Sequence, residues 1–211
     1  ISINCVNRKA CCRTRNGQQL RQEQRGIHML ENIAQPLLKW YDKNKRTLPW
    51  RDKNNAYYTW VSEIMLQQTR VEAVKPYFQR FIRELPDVAS LAAAPEERIV
   101  KLWEGLGYYS RVRNMQKAAI QVIEKYNGKI PEDFETLLSL RGIGRYTAGA
   151  ISSIAYGHKV PAVDGNVLRV YSRLTESRED IMKQSVRKSV EDQLKEIMPY
   201  ISLFLLTREV F

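Results

Sequence analysis

Apolar residues recur at three-to-four spacing along most of the chain from Met29 onward. Leu30, Ile33, Ala34, Leu37, Leu38 and Tyr41 open the pattern and predict a first amphipathic helix. A polar connection, Asp42 to Thr47, leads into Leu48-Pro49-Trp50-Arg51, a Pro-stiffened loop expected to present an aromatic ring and a guanidinium. The pattern then predicts helices over about 59–69, 71–84, 95–104, 109–126 and 131–139, separated by Pro86, Pro95, Gly105-Leu106-Gly107, Gly128 and Pro131. Asp87, Glu96 and Glu132 each follow a proline, where a first helical turn favours an acid. A glycine-rich turn opens a further helix reaching Tyr156, Asp164 opens another to about Leu174, and a charged amphipathic helix covers about 180–197. No stretch reads convincingly as a strand. The expected fold is all-α.

The helix predicted over 59–69 places Trp60, Val61, Ile64 and Met65 on one arc. Glu63, Gln67 and Arg70, at i, i+4 and i+7, share the other side. The plain reading of that side is a solvated face. The alternative is a working carboxyl: set beside Trp60 and partly desolvated by a bound base, a glutamic acid keeps its proton long enough to act as a general acid.

Composition narrows the picture without deciding it. A chain of 211 residues that is 44% hydrophobic can bury a sizeable core in one or two domains. No apolar run approaches the ~18 residues of a transmembrane helix, which predicts a soluble chain with no membrane partner. Residues 1–27 hold six basic residues and one acid, so of the net +11 the remaining 184 residues carry +6. That moderate excess suits a nucleic-acid footprint. Cys5, Cys11 and Cys12 are the only cysteines; an odd count with an adjacent pair makes neither a disulfide framework nor a metal-ligand spacing.

Candidate chemistry gathers in three further places. Leu140-Arg-Gly-Ile-Gly-Arg-Tyr-Thr147 has two glycines flanking one apolar residue, followed by small residues of a helix. Gly142 and Gly144 allow a sharp turn that leaves N–H groups bare at the next helix N-terminus, beside Arg145, where an anion such as a DNA phosphate binds readily. Plain turn chemistry is the competing reading. Gly105-Leu-Gly-Tyr-Tyr-Ser-Arg111 puts Tyr108 and Arg111 beside a flexible turn, which suits stacking or wedging among bases. Its competitor is one core tyrosine and one helix-start tyrosine. Asp164, before Gly-Asn-Val, is a natural N-cap. A carboxylate that accepts N–H bonds there is favoured as the anion, and an anion stabilises an oxocarbenium-like sugar cation.

Leu-Arg-Gly-Ile-Gly-Arg-Tyr-Thr-Ala followed by Val163-Asp-Gly-Asn-Val167 resembles the helix–hairpin–helix plus Gly/Pro–Asp signature of base-excision DNA glycosylases. Pro49-Trp50-Arg51, Trp60-Val-Ser-Glu-Ile-Met-Leu-Gln-Gln-Thr69 and Gly105–Arg111 are similar within it to the A/G-specific adenine DNA glycosylase (MutY type), over about residues 30–198. The resemblance implies two helical subdomains with the active site in the cleft between them. It implies that Glu63 protonates adenine N7, that Asp164 stabilises or traps the sugar cation, and that Tyr146 and Asn166 assist there. Arg51 and Leu66 match positions lining the adenine pocket; Gln68 and Tyr108 match groups that probe or wedge at the partner base, 8-oxoguanine or guanine; Thr69 and Arg111 belong to the same DNA-facing segments. Tyr146 stands where the related endonuclease III type has a lysine nucleophile, and a phenol cannot form that imine. The implied enzyme is therefore monofunctional; it is expected to be a monomer acting on double-stranded DNA with A:8-oxoguanine or A:G mispairs. Its implied place is the nucleoid-bearing cytoplasm of a bacterium, or the nucleus or mitochondrion of a eukaryote. The rival readings are a catalytically weak DNA-binding remnant and an endonuclease III-like lyase.

The family also implies a 4Fe-4S cluster whose cysteine ligands this sequence lacks, so no cofactor is expected here. Residues 1–27 are expected as a disordered basic leader, 28–198 as a glycosylase domain incomplete on its C-terminal side, and 199–211 as an atypical apolar tail. Such incompleteness predicts lower stability, exposed apolar surface near 200–211 and weak activity.

Overall fold

The computed structural model describes His28, Asn32, residues 35–51 and residues 55–197. The expectations for residues 1–27 and 199–211 lie outside these. The described residues are helical and contain no strand. They fall into two compact units, one spanning 45–162 and the other formed by residues up to Asn44 together with those from Val163 onward.

The 45–162 unit is built around α2 (Ala56–Leu66). Asn55 caps it, its side chain accepting from the N–H groups of Tyr57 (2.8 Å) and Tyr58 (3.2 Å). From Trp60 to Leu66 every residue is buried, because α3 (Val71–Glu84), α8 (Arg145–Ala150) and the adjoining π turn (Ile151–Ala155) pack against it. A helix covered on all sides has no polar face to spare. α4 (Val88–Ala93) and α5 (Glu96–Trp103) pack on the long α6 (Ser110–Tyr126), and α7 (Phe134–Leu138) packs on α8. Phe78, Phe81, Leu91, Ile99, Trp103, Met115 and Leu137 fill the centre, with Phe81 edge-on to Trp103 at 6.0 Å.

The other unit is smaller. α1, a helix over 35–44, supplies Tyr41 to a core with Val167, Leu168 and Tyr171 of α9 (Gly165–Leu174) and Val190 and Leu194 of α10 (Gln184–Ile197).

Several predicted bounds shift, each for a local reason. The helix expected over 59–69 begins at the Asn55 cap and ends at Leu66, so Gln67 is its C-cap and Arg70 is the N-cap of α3. The solvated face of Glu63, Gln67 and Arg70 therefore does not exist. α4 has no counterpart in the apolar pattern: six residues are too few to display a period, although Asp87 and Ser90 form a reciprocal capping box. The helix expected over 131–139 starts only at Phe134, capped by Asp133 rather than led by Glu132. The last predicted helix starts at Gln184 instead of 180. The helix expected to run unbroken to Tyr156 widens to a π turn at Ile151; there Ser152 Oγ donates to Glu132 O and Tyr156 OH to Ile130 O, and Gly149 lets Pro161 approach.

Trp50, expected to be presented by its loop, is instead buried with its ring edge-on to Phe78 at 5.2 Å.

The α7–α8 turn fixes a testable asymmetry between its two glycines. Gly142 has φ +78°, and a Cβ there would lie 2.8 Å from Asn114 Cβ; Gly144 has φ −91° and open space around it. Gly142→Ala should cost about 1–3 kcal/mol of stability, and Gly144→Ala no more than about 1 kcal/mol, measured by urea unfolding.

Candidate active site

α2 carries Glu63 into the interior of the 45–162 unit, where the residue is 7% exposed. Its neighbours in sequence, Ser62 and Ile64, are buried as well, and Ser62 turns its hydroxyl back to Thr59 O at 2.9 Å. Tyr146 lies on α8, which packs on α2. The fold therefore brings the helices of the expected acid and of the expected assisting phenol together. Leu66 closes α2, buried at its C-terminal end. Arg51 is half-buried in the turn after Trp50; its N–H donates to Leu48 O at 3.0 Å and its guanidinium to Arg46 O.

Two exposed turns of this unit hold residues in backbone conformations that side chains rarely adopt. Gln68 has φ +60° and Tyr108 has φ +47°. Tyr108 is 66% exposed, whereas Tyr109 is half-buried against the core as the N-cap of α6. The two tyrosines thus divide between solvent and core, and the solvent-facing one is the one matched to the wedge position. Thr69 folds back on its own turn, its N–H donating to Leu66 O (3.3 Å) and its hydroxyl to Gln67 O (3.4 Å).

Arg111, read from the sequence as a DNA-facing cation, spends its guanidinium on the protein instead. Nη1 donates to the carbonyls of Ile64 (2.9 Å), Met65 (3.4 Å) and Gln67 (2.6 Å), and Nη2 to those of Leu106 (3.0 Å) and Gly107 (3.1 Å). The rings of Trp103 and Tyr108 lie 5.4 and 5.6 Å from its Cζ. Burial holds its pKa below the usual arginine value, and Tyr108 works in the opposite direction. Sequence reasoning missed this role because the acceptors are backbone atoms, which no residue type announces.

The hairpin turn is tied to α6. Arg141 N–H donates to Gln121 Oε1 (2.9 Å) and its Nε to Asn114 Oδ1 (3.3 Å), while Leu140 and Ile143 are buried. Gly142, Gly144 and Arg145 are exposed, and Gly144 caps α8 with no side chain of its own. Arg145 lies over the ring of Phe134, 5.2 Å from its centroid. A cavity of about 120 Å³ beside this turn is lined by Trp60, Ile64, Gln67, Arg111, Asn114 and Arg141 among others.

Asp164 belongs to the other unit and caps α9. Oδ1 accepts from the N–H groups of Asn166 and Val167, both at 2.9 Å, and Oδ2 from Asn166 Nδ2 at 3.1 Å. Asn166 in turn accepts from Arg169 at 3.1 Å. Three N–H donors converging on the Asp164 carboxyl group at a helix N-terminus fix its orientation. No cysteine follows Cys12, and among the described residues no three His, Cys, Asp or Glu side chains are grouped to hold a metal ion. No described helix is long and apolar enough to cross a membrane.

Known proteins agree with this architecture. The adenine DNA glycosylase of Rattus norvegicus is 46% identical over 162 residues, which cover 70% of this chain and 31% of that protein. The human adenine DNA glycosylase is 45% identical over 162 residues, covering 70% of this chain and 30% of that one. That of Buchnera aphidicola from Acyrthosiphon pisum is 39% identical over 168 residues, covering 79% and 48%. The chain thus spans about a third to a half of the length of these relatives. Among solved structures, a trapped endonuclease III–DNA covalent intermediate superposes with a TM-score of 0.69 at 26% identity, covering 84% of this chain and 80% of that one. A thermostable thymine-DNA glycosylase shares the fold at a TM-score of 0.74 and 23% identity, with 84% of each chain covered. Residues 61–196 match the family model described as HhH-GPD superfamily base excision DNA repair protein, and the chain belongs to that superfamily.

Proposed function

We propose that this chain carries the catalytic module of an adenine DNA glycosylase, which hydrolyses the N-glycosidic bond of adenine mispaired with 8-oxoguanine or guanine in duplex DNA. The observation that carries the reading is Glu63, a carboxyl 7% exposed in a helix whose residues from Trp60 to Leu66 are all buried, in a chain 45–46% identical to two mammalian adenine DNA glycosylases over 162 residues. A carboxyl carried into the interior by its helix is shielded from bulk water, the setting in which a general acid meets a leaving base without competing solvent.

Adenine is a poor leaving group until N7 is protonated, and the base must leave the stack before a buried acid can reach it. Glu63 supplies that proton, while Arg51 and Leu66 line the base's pocket. The carboxylate of Asp164, already the acceptor of three N–H donors, stabilises the sugar cation, with Asn166 orienting it and Tyr146 assisting. Gln68, Thr69 and Tyr108 meet the partner strand, and the exposed Gly142–Arg145 turn meets phosphate. Tyr146 offers no amine for a Schiff base, so the reaction ends with the base released and the strand intact.

Single-turnover release of adenine from a duplex with one A:8-oxoguanine pair tests the proposal. Strand breakage should require alkali, no borohydride-trapped adduct should form, and Glu63→Gln should slow release by at least about 100-fold. Salt-sensitive DNA binding without any release would point to a binding remnant. Breakage without alkali, together with a trapped adduct, would point to a lyase.

A further inference from the structure

The two turns that hold Gln68 and Tyr108 are far apart in sequence, yet one side chain spans both. Arg111 reaches the C-terminal turn of α2 through Nη1 and the Gly105–Tyr108 turn through Nη2, with five carbonyl contacts between 2.6 and 3.4 Å. Trp103 lies beside the guanidinium, and its Nε1 donates to Gly107 O at 3.1 Å, so the second turn is held from two sides. Tyr108 itself lies over the guanidinium. Three of the contacts fall at the end of α2, where the carbonyls of a helix lack partners along the chain. Both turns carry a non-glycine residue at positive φ, a conformation that persists only where the surroundings over-determine it.

We propose that Arg111 is a positioning residue, a strut that locks the two turns to each other so that Gln68 and Tyr108 engage DNA as one unit rather than as independent contacts. This rests on the proposed function in one respect, that Gln68 and Tyr108 meet the mispaired partner base. A planar guanidinium presents two forks in fixed geometry and serves both turns at once. A lysine ammonium is a single point of donation and serves one.

The test has two arms on the full chain. Amide hydrogen exchange is compared between wild type and Arg111→Lys in the free protein. Exchange should quicken about tenfold in both segments 66–70 and 105–109, the loss of roughly one charge-assisted hydrogen bond's worth of protection, with α4 and the α7–α8 turn unchanged. Quickening of one segment alone, or of the whole unit equally, would overturn the strut.

The second arm is a double-mutant cycle of Gln68→Ala and Tyr108→Ala, read as binding to an A:8-oxoguanine duplex over a matched one. The double variant should lie within about threefold of the weaker single in wild type, and the two losses should multiply in the Arg111→Lys background. Multiplying losses in wild type would overturn the proposal even if Arg111→Lys did not fold. A wild-type chain with no preference for the mispair would defeat the assignment of Gln68 and Tyr108 to DNA, leaving the exchange arm to decide the strut.

Discussion

Burial of α2 on every side is the constraint on which the 45–162 unit depends. Trp60, Val61, Ile64, Met65 and Leu66 all join its core, so α3, α8 and the π turn have one shared surface to cover. Among the described residues Glu63 is the one acid buried in such an enclosure, which is why it stands out from the exposed acids. The same enclosure constrains the end of the helix. α2 must stop abruptly at Leu66, and its last carbonyls then need donors from elsewhere.

Arg111 supplies those donors, and the arrangement links the interior to the surface. Its guanidinium connects the end of the helix that bears Glu63 to the turn that bears Tyr108. Gln68 and Tyr108, both at positive φ in loops, are therefore seated on turns that one side chain ties together. Gly142 plays a comparable part at the hairpin: its close approach to Asn114, with Arg141 bound to Gln121 and Asn114, seats the turn on α6. In the other unit, Asp164 needs no such scaffold, because capping α9 fixes its carboxylate directly.

Much of this was legible in the sequence. Helices with clear apolar periods, α3, α5, α6 and α9, lie within a residue or two of their expected bounds. Asp164 reads correctly as a cap because the capping rule is local. Glu63 does not: a helical wheel assigns it to the polar arc, and only the partners on that side reveal that it is buried. The reading of Gln67 and Arg70 fails with it, since helix termination at Leu66 depends on tertiary contacts. Trp50 and Arg111 were expected to point outward as exposed aromatic and basic groups. Trp50 is held instead by Phe78, and Arg111 by carbonyls that leave no mark in the sequence. The family signature survives these errors because it is carried by segments rather than by faces.

The central claim is that the buried Glu63 carboxyl drives base loss by protonating adenine at N7. A duplex carrying 7-deaza-2′-deoxyadenosine in the mispair removes that one nitrogen and leaves the Watson–Crick edge intact. The account predicts that the chain binds this duplex as it binds the adenine duplex and releases no base from it. Release at a rate comparable to adenine would contradict the assignment of Glu63 and require another route to the sugar cation.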